Sequence, residues 1–296
     1  MLLVTFRDED STRIGVLDRE NDEVVDLSRT TTGLPRSLLG LIADGEPALE
    51  TVRLAVESGA GRLPVRGLTL LAPIPRPARN IFCIGKNYRD HAREVQSLPS
   101  GGGRGKDAAP LHPIVFTKTA STVIGPEESI CGYLDPTDSV DYEGELAVVI
   151  GTGGRGIVRA NAMHHVYGYT IVNDVTSRRL QKRHQQWFIA KSLDGFCPMG
   201  PALLTANAVP DVAALRVQTS VNGEPRQDGL LADLIFDIPT LIETLSATMT
   251  LEAGDIIATG TPAGVGVGFK PPRFLRSGDE VSITIDPIGT LANPVA

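Results

Sequence analysis

The stretch DYEGELAVVIGTGGRG, residues 141–156, supports two incompatible readings. Its end spells G-x-G-x-x-G through Gly151, Gly153 and Gly156, after an apolar run, as a dinucleotide-binding loop would. Its start places Glu143 and Glu145 two residues apart, so on an extended strand both carboxylates leave from one face while Leu146, Val148 and Ile150 line the other. Two carboxylates about 7 Å apart in a partly buried site repel, and each tends to take up a proton unless a cation compensates them. Asp174 ends the next apolar strand, YTIVND, and supplies a third carboxylate. Three convergent carboxylates suit a hard divalent cation such as Mg²⁺ or Mn²⁺ and, with no His or Cys beside them, not zinc. Alone, E-x-E is most often a solvated strand face.

The glycines fare worse. A dinucleotide loop opens its helix at once, whereas the helical part of IVRANAMHHV starts only after Val158, and a pyrophosphate site does not place two carboxylates on its feeding strand. TGGRG therefore reads as a turn. GTPAGVGVG, residues 260–268, lacks the G-K-[ST] ending and is not a phosphate-binding loop.

Working outward, NYRDHAREV puts His91 and Glu94 three residues apart, on one face of a short helix. A carboxylate beside an imidazole fixes its tautomer and makes a general base able to activate water, although H-x-x-E alone is usually a surface pair. Lys118 in PIVFTK reads by itself as a solvated lysine. Lys191 in AKSLDGFCPMGP, between apolar residues and a Gly/Pro-rich turn, fits that role less well.

The chain of 296 residues can bury a sizeable core and divides near residue 73. Residues 1–73 read as a small α+β module: LLVTFRD and RIGVLD as strands, then SLLGLIADGEPALETVRLAVESG as one or two helices, and no cluster of catalytic residue types. LLAPIPRPARN is an extended connector. Residues 74–296 carry recurrent short strands (NIFCIG, PIVFTK, ELAVVIG, YGYTIVND, ALLT, LRVQTSVNG, DIIATG, EVSITID) with few helices between them (YRDHAREV, RANAMHHV, TSRRLQKRH, IPTLIETLSAT). That texture predicts an α+β fold, mainly β, with a mixed β-roll or barrel rather than alternating α/β. Net charge is −7, which disfavours a nucleic-acid or anionic-membrane surface. Three scattered cysteines argue against a disulfide framework. A start that turns charged within a few residues, and no apolar run near the roughly 18 residues of a membrane span, lead us to expect a cytoplasmic protein.

Taken together, G-K-N-Y-x-x-H-x-x-E, F-x-K, D-Y-E-G-E-L-A-V-V-I-G, Y-T-I-V-N-D-V-T-S-R, K-S-L-D-G-F-C-P-M-G-P and G-D-I-I-A-T-G-T-P-A-G-V-G resemble the fumarylacetoacetate hydrolase family over about residues 74–290, and the small leading domain resembles its longer bacterial members. The resemblance implies a mixed β-roll, usually as a homodimer. It implies Glu143, Glu145 and Asp174 as ligands of Mg²⁺, with Mn²⁺ or Ca²⁺ tolerated. His91 and Glu94 match the family's water-activating pair on a lid helix, Lys191 a lysine that contacts substrate oxygen, and Lys118, Gln181 and Thr261 fall at substrate-side positions. The family's namesake has an aspartate where this chain has Asn87, so a fourth carboxylate ligand is not expected. The implied substrate is a small 2-oxo or 2,4-dioxo acid. The leading expectation is hydrolysis of a C–C bond in acylpyruvate-like acids, with enolate charge stabilised by the metal and Lys191. Oxaloacetate decarboxylation or tautomerisation, or hydration or isomerisation of an enoyl 2-oxo acid, is the alternative. A silent metal-and-acid sensor is argued against by the His91–Glu94 pair. The glycines of SLPSGGGRGK raise the cost of ordering the segment after that helix, so residues about 88–112 are expected to open and close over the site.

Overall fold

The computed structural model describes residues 1–96 and 109–296. The core of the fold is one sheet of twelve strands among the described residues. From its middle to one edge it runs, in spatial order, through strands Cys197–Thr205, Val166–Asn173, Gly144–Ile150, Ile256–Ala258, Ile81–Gly85 and Ile114–Lys118. Pairings along this path are antiparallel except between Ile256–Ala258 and Ile81–Gly85. A second, four-stranded antiparallel sheet holds Arg216–Val221, Glu224–Leu230, Glu280–Ile285 and Gly289–Pro294. The fold is mixed and mainly strand, as its sequence texture predicts.

Strand Gly144–Ile150 is buried at every residue. Leu146, Val148 and Ile150 join one apolar cluster, and Ala147 and Val149 join another on the opposite face. A strand covered on both sides reads as a continuous apolar run, which is why ELAVVI does not alternate with polar residues beyond Glu145.

The leading residues extend this sheet: Leu2–Asp8 pairs with Cys197–Thr205, with Leu2 opposite Leu204. The cluster containing Val149 and Val172 also takes in Leu3, Leu41 and Val52. Helix Leu38–Glu57 starts at Ser37, whose hydroxyl accepts from Gly40 N–H, and breaks at Gly45. Gly45 has φ 65°, a conformation that glycine adopts without penalty, so the segment expected as one or two helices forms two that meet there.

Helices form at Arg89–Gln96, Arg178–His184 and Ile238–Thr248, and RANAMHH is a 3₁₀ turn over Arg159–His165. The Asp237 carboxylate caps Ile238–Thr248 by accepting from Thr240 N–H at 3.0 Å. Strands Glu224–Leu230 and Gly289–Pro294 were not expected from the sequence. EPRQDGL is polar and GTLANP carries Gly and Pro, and only pairing with neighbours makes either a strand. The TGGRG segment is a turn seated on residues 251–252, with Gly154 N–H donating to the Leu251 carbonyl at 2.9 Å. Of the expected lid, residues 89–96 form a docked helix, and residues 97–108 lie outside the described residues.

Candidate active site

The register of two antiparallel strands builds the site. Gly144 pairs with Asn173, so Glu143, Glu145 and Asp174 meet where one strand begins and its neighbour ends. Glu143 stands one residue before its strand and is held by Asn173 Oδ1, which accepts from Glu143 N–H at 3.0 Å. All three carboxylates are buried, and each offers an oxygen within 4.8 Å of the others.

Cations surround them. Lys191 Nζ lies 2.7 Å from Glu143 Oε2 and 2.6 Å from Asp174 Oδ2. Arg178 bridges Glu143 and Asp141, at 2.7 Å from each. Lys118 Nζ lies 2.9 Å from Asp174 Oδ1 and donates to the Val175 carbonyl at 3.0 Å. Burial opposes ionisation of Glu143, but the Lys191 ammonium and the Arg178 guanidinium prevail and hold its carboxyl far below the usual range. Glu145 is pushed well up by burial and by the neighbouring charges of Asp174 and Glu143, although its Oε2 accepts from Gly260 N–H at 2.8 Å. Burial would lower Lys191, yet Asp174 and Glu143 raise it, so its ammonium stays charged.

A divalent cation fits this donor set. Four buried carboxylates (Asp141, Glu143, Glu145, Asp174) face three buried fixed cations (Lys118, Arg178, Lys191). Asp174 Oδ1 is buried and, among the described residues, makes no well-directed hydrogen bond despite the nearness of Lys118. An all-oxygen, carboxylate-rich set suits Mg²⁺ or Mn²⁺.

Above the carboxylates is a cavity of about 280 Å³, lined in part by His91, Glu143, Glu145, Arg178, Gln181, Lys191 and Thr261. His91 is 5% exposed, and its Nδ1 is 3.2 Å from Glu94 Oε2. The other oxygen of Glu94 accepts from Gly264 N–H at 3.0 Å, so the helix is docked on the loop that carries Thr261. Thr261 donates to the Gly144 carbonyl at 3.0 Å and accepts from Gln227 Nε2 at 2.7 Å. Gln181 Oε1 accepts from Arg178 Nη1 at 3.4 Å. Lys118 is placed apart from the others, packed against Asp174 and absent from the cavity wall. Asn87 is built into the scaffold: its amide donates to the carbonyls of Phe236 and Thr259 at 3.0 and 2.8 Å and accepts from Phe236 N–H at 2.9 Å.

Reading the sequence did not single out Asp141, Arg178, Phe116 or Trp187. Asp141 and Arg178 fall inside the quoted motifs, but only folding reveals their pairing. Asp141 also accepts from Gly266 N–H at 2.7 Å and Val267 N–H at 2.9 Å, fixing the loop beyond Thr261. Arg178 Nη2 is buried without a hydrogen-bond partner among the described residues. Trp187 packs edge-on to Phe116, centroids 5.1 Å apart, and Lys191 Nζ sits 4.9 Å from the Phe116 ring centre.

Comparison with known proteins places this architecture. The family model described as fumarylacetoacetate (FAA) hydrolase C-terminal matches residues 80–296. The chain is 50% identical over 290 residues to the oxaloacetate tautomerase YisK of Bacillus subtilis (strain 168), covering 93% of this chain and 94% of that one. Its fold matches a fumarylacetoacetate hydrolase from the psychrophile Exiguobacterium antarcticum with TM-score 0.84 and 44% identity, covering 100% of this chain and 99% of the other. It also matches maleylpyruvate hydrolase from Sphingobium sp. SYK-6 in complex with manganese(II) and pyruvate, with TM-score 0.78 and 32% identity over 100% and 99% of the two chains. With the profile spanning most of its length and the carboxylate-lined roll in place, the chain belongs to the fumarylacetoacetate hydrolase family.

Proposed function

We propose that this protein is a divalent-metal-dependent enzyme that moves protons on small 2-oxo acids, with keto–enol interconversion of an oxaloacetate-like 2-oxo dicarboxylate as its reaction. One observation carries the proposal: Glu143 and Glu145 of the carboxylate cluster line one cavity with His91, Lys191 and Arg178, while Asp174 completes the cluster and Glu94 orients His91 from behind the wall. The 50% identical oxaloacetate tautomerase supports the choice of reaction. Glu143, Glu145 and Asp174 would hold Mg²⁺ or Mn²⁺, which supplies Lewis-acid polarisation of the 2-oxo group.

The chain's own residues then divide the work. His91, oriented by Glu94, takes the proton from the carbon next to the 2-oxo group and delivers it to the enolate oxygen, and in the reverse direction the enol hydroxyl proton returns to that carbon. Lys191, kept cationic by its carboxylate neighbours, stabilises the negative charge that develops on substrate oxygen. Thr261 and its loop hold the 1-carboxylate. Arg178 and Gln181, which line the cavity, face the second carboxylate. Lys118 holds Asp174 in place from outside the cavity.

The second reading is hydrolysis of a C–C bond in 2,4-dioxo acids, in which His91 takes the proton of an attacking water. The manganese- and pyruvate-bound maleylpyruvate hydrolase supports it. Decarboxylation, hydration or isomerisation of related 2-oxo acids would use the same groups.

We extend the proposal to a leading module at residues 1–73 on a catalytic domain at 74–296, and to a cytoplasmic homodimer. Val115 on the terminal strand of the main sheet, with nearby Phe188 and Ile189, is exposed and apolar, which supports burial against a second copy. No helix among the described residues is long and apolar enough to cross a membrane.

The test is turnover of oxaloacetate and of acylpyruvates with Mg²⁺ or Mn²⁺, followed by enol absorbance and by product identity in NMR. Faster enol decay with intact oxaloacetate supports tautomerisation, and release of pyruvate plus a second acid supports hydrolysis. No metal-dependent turnover of either class overturns the proposal.

A further inference from the structure

We propose that Gly268 and Tyr142 are positioning residues that build the seat of Glu94 and thereby set the orientation of His91. The inference rests on the reading above in that His91 is taken as the proton-transferring group.

Among the described residues the seat has three parts. Gly264 N–H donates to Glu94 Oε1 at 3.0 Å, and Oε2 lies 3.2 Å from His91 Nδ1. The Tyr142 hydroxyl, from a ring only 1% exposed, donates to the carbonyl of the same Gly264 at 2.9 Å. Gly264 has φ +104°, and a Cβ there would run into the Arg226 carbonyl, so this peptide orientation requires glycine. Gly268 closes the seat from the other side. The three atoms that a Cβ on Gly268 would meet first are Oε1, Cδ and Cγ of Glu94, with no backbone among them. The missing side chain at position 268 is thus the space that the Glu94 carboxylate occupies.

The stretch DYEGE, residues 141–145, therefore does two jobs. Glu143 and Glu145 face the metal site, while Asp141 and Tyr142 hold the 264–267 loop that receives Glu94. With Glu94 seated, its carboxylate accepts from Nδ1–H, and the free Nε2 is the base. With Glu94 displaced, the imidazole loses its tautomeric partner but the carboxylate cluster and Lys191 are untouched.

Gly268→Ala tests this, because the clash it introduces is with the far end of one flexible side chain. Wild type, Gly268→Ala, Glu94→Ala and the double variant would be compared for Mn²⁺-dependent conversion of oxaloacetate enol and for oxalate binding in the presence of Mn²⁺. Gly268→Ala should lower kcat by about tenfold or more, with KM and oxalate affinity within about twofold of wild type. In the Glu94→Ala background the same change should have almost no effect, because the space is already vacant. Tyr142→Phe should shift kcat in the same direction by less. The seat is read apart from turnover through the His91 imidazole NMR signals, which Gly268→Ala should move as Glu94→Ala does. Unmoved signals, weakened oxalate binding, or an equal loss of kcat in both backgrounds would overturn the seat. Moved signals with wild-type kcat would confirm the seat and overturn His91 as the base.

Discussion

The backbone N–H of Asp174 donates to the carbonyl of Glu143 at 2.9 Å. Through this bond, residues 31 positions apart in the chain become neighbours at the end of a strand pair, and their carboxylates are left with Glu145 around one point. The candidate chemistry follows from that approach, and so do the following expectations.

Glu145 is the carboxylate least compensated by cations. Glu145→Gln should abolish calorimetric Mg²⁺ or Mn²⁺ binding together with turnover. It should also stabilise the metal-free protein at neutral pH, because burial and the charges of Asp174 and Glu143 raise its carboxyl. A folded-state value above the unfolded one makes stability fall as pH rises past the ordinary carboxyl range near about 4.3. The variant should escape that fall and melt at least about 2 °C higher than wild type in the absence of metal. Retained Mn²⁺ affinity would show that the cluster is not the metal site.

Lys191→Met should lower kcat by about 10² or more. Because Lys191 bridges Glu143 and Asp174, it should also destabilise the metal-free protein by about 3–5 kcal/mol, as expected when one partner of a buried pair is removed. Added Mn²⁺ should restore most of the melting temperature but not the rate. Near-normal turnover would confine Lys191 to a structural role.

His91→Ala should bind Mn²⁺ and oxalate as wild type does but lose turnover, because the imidazole supplies the base and not the grip. Titration calorimetry and steady-state kinetics on the same sample separate the two. A variant that turns over acylpyruvate or oxaloacetate enol at full rate would remove His91 from the reaction.

Asp135 supports the site from below. Its carboxylate accepts from Thr137 N–H at 3.0 Å, from the Thr137 hydroxyl at 2.6 Å and from Ser139 N–H at 2.9 Å, and the Ser139 hydroxyl accepts from Arg179 N–H at 3.0 Å, next to Arg178. Burial works against its ionisation, but these donors hold its carboxyl below the ordinary value. A depressed folded-state value contributes stability that is fully present above the unfolded value near about 3.9 and is lost as pH falls through the folded one. Asp135→Asn should therefore lower the urea midpoint at pH 7, and the gap from wild type should narrow below about pH 4. A gap independent of pH would assign the loss to geometry alone.

Residue pattern alone was enough to place the strands and helices nearest the site, because apolar runs and the 3.6-residue period report burial directly. IPTLIETLSAT and YRDHAREV became helices, ELAVVI and YTIVN became strands, and two glutamates on one strand face favoured a candidate metal site over a nucleotide loop. Local pattern could not show EPRQDGL or GTLANP as strands, because their extended form depends on ladder partners far away in sequence. It read Lys118 as a solvated lysine and Lys191 as less so, but Lys118 is buried as well, because its ammonium is compensated by Asp174. Lys191 reaches into the cavity and Lys118 stands behind Asp174, although both are buried cations beside the same carboxylate. Asp141 and Arg178 carried no distinguishing spacing, since an ion pair across 37 residues exists only once two chain segments are folded together. The sequence by itself determined which groups are able to ionise, cap or pack. Tertiary structure decided which of them meet, because a strand register and a loop anchored on buried hydrogen bonds leave a charged group only a few positions in which its desolvation is compensated.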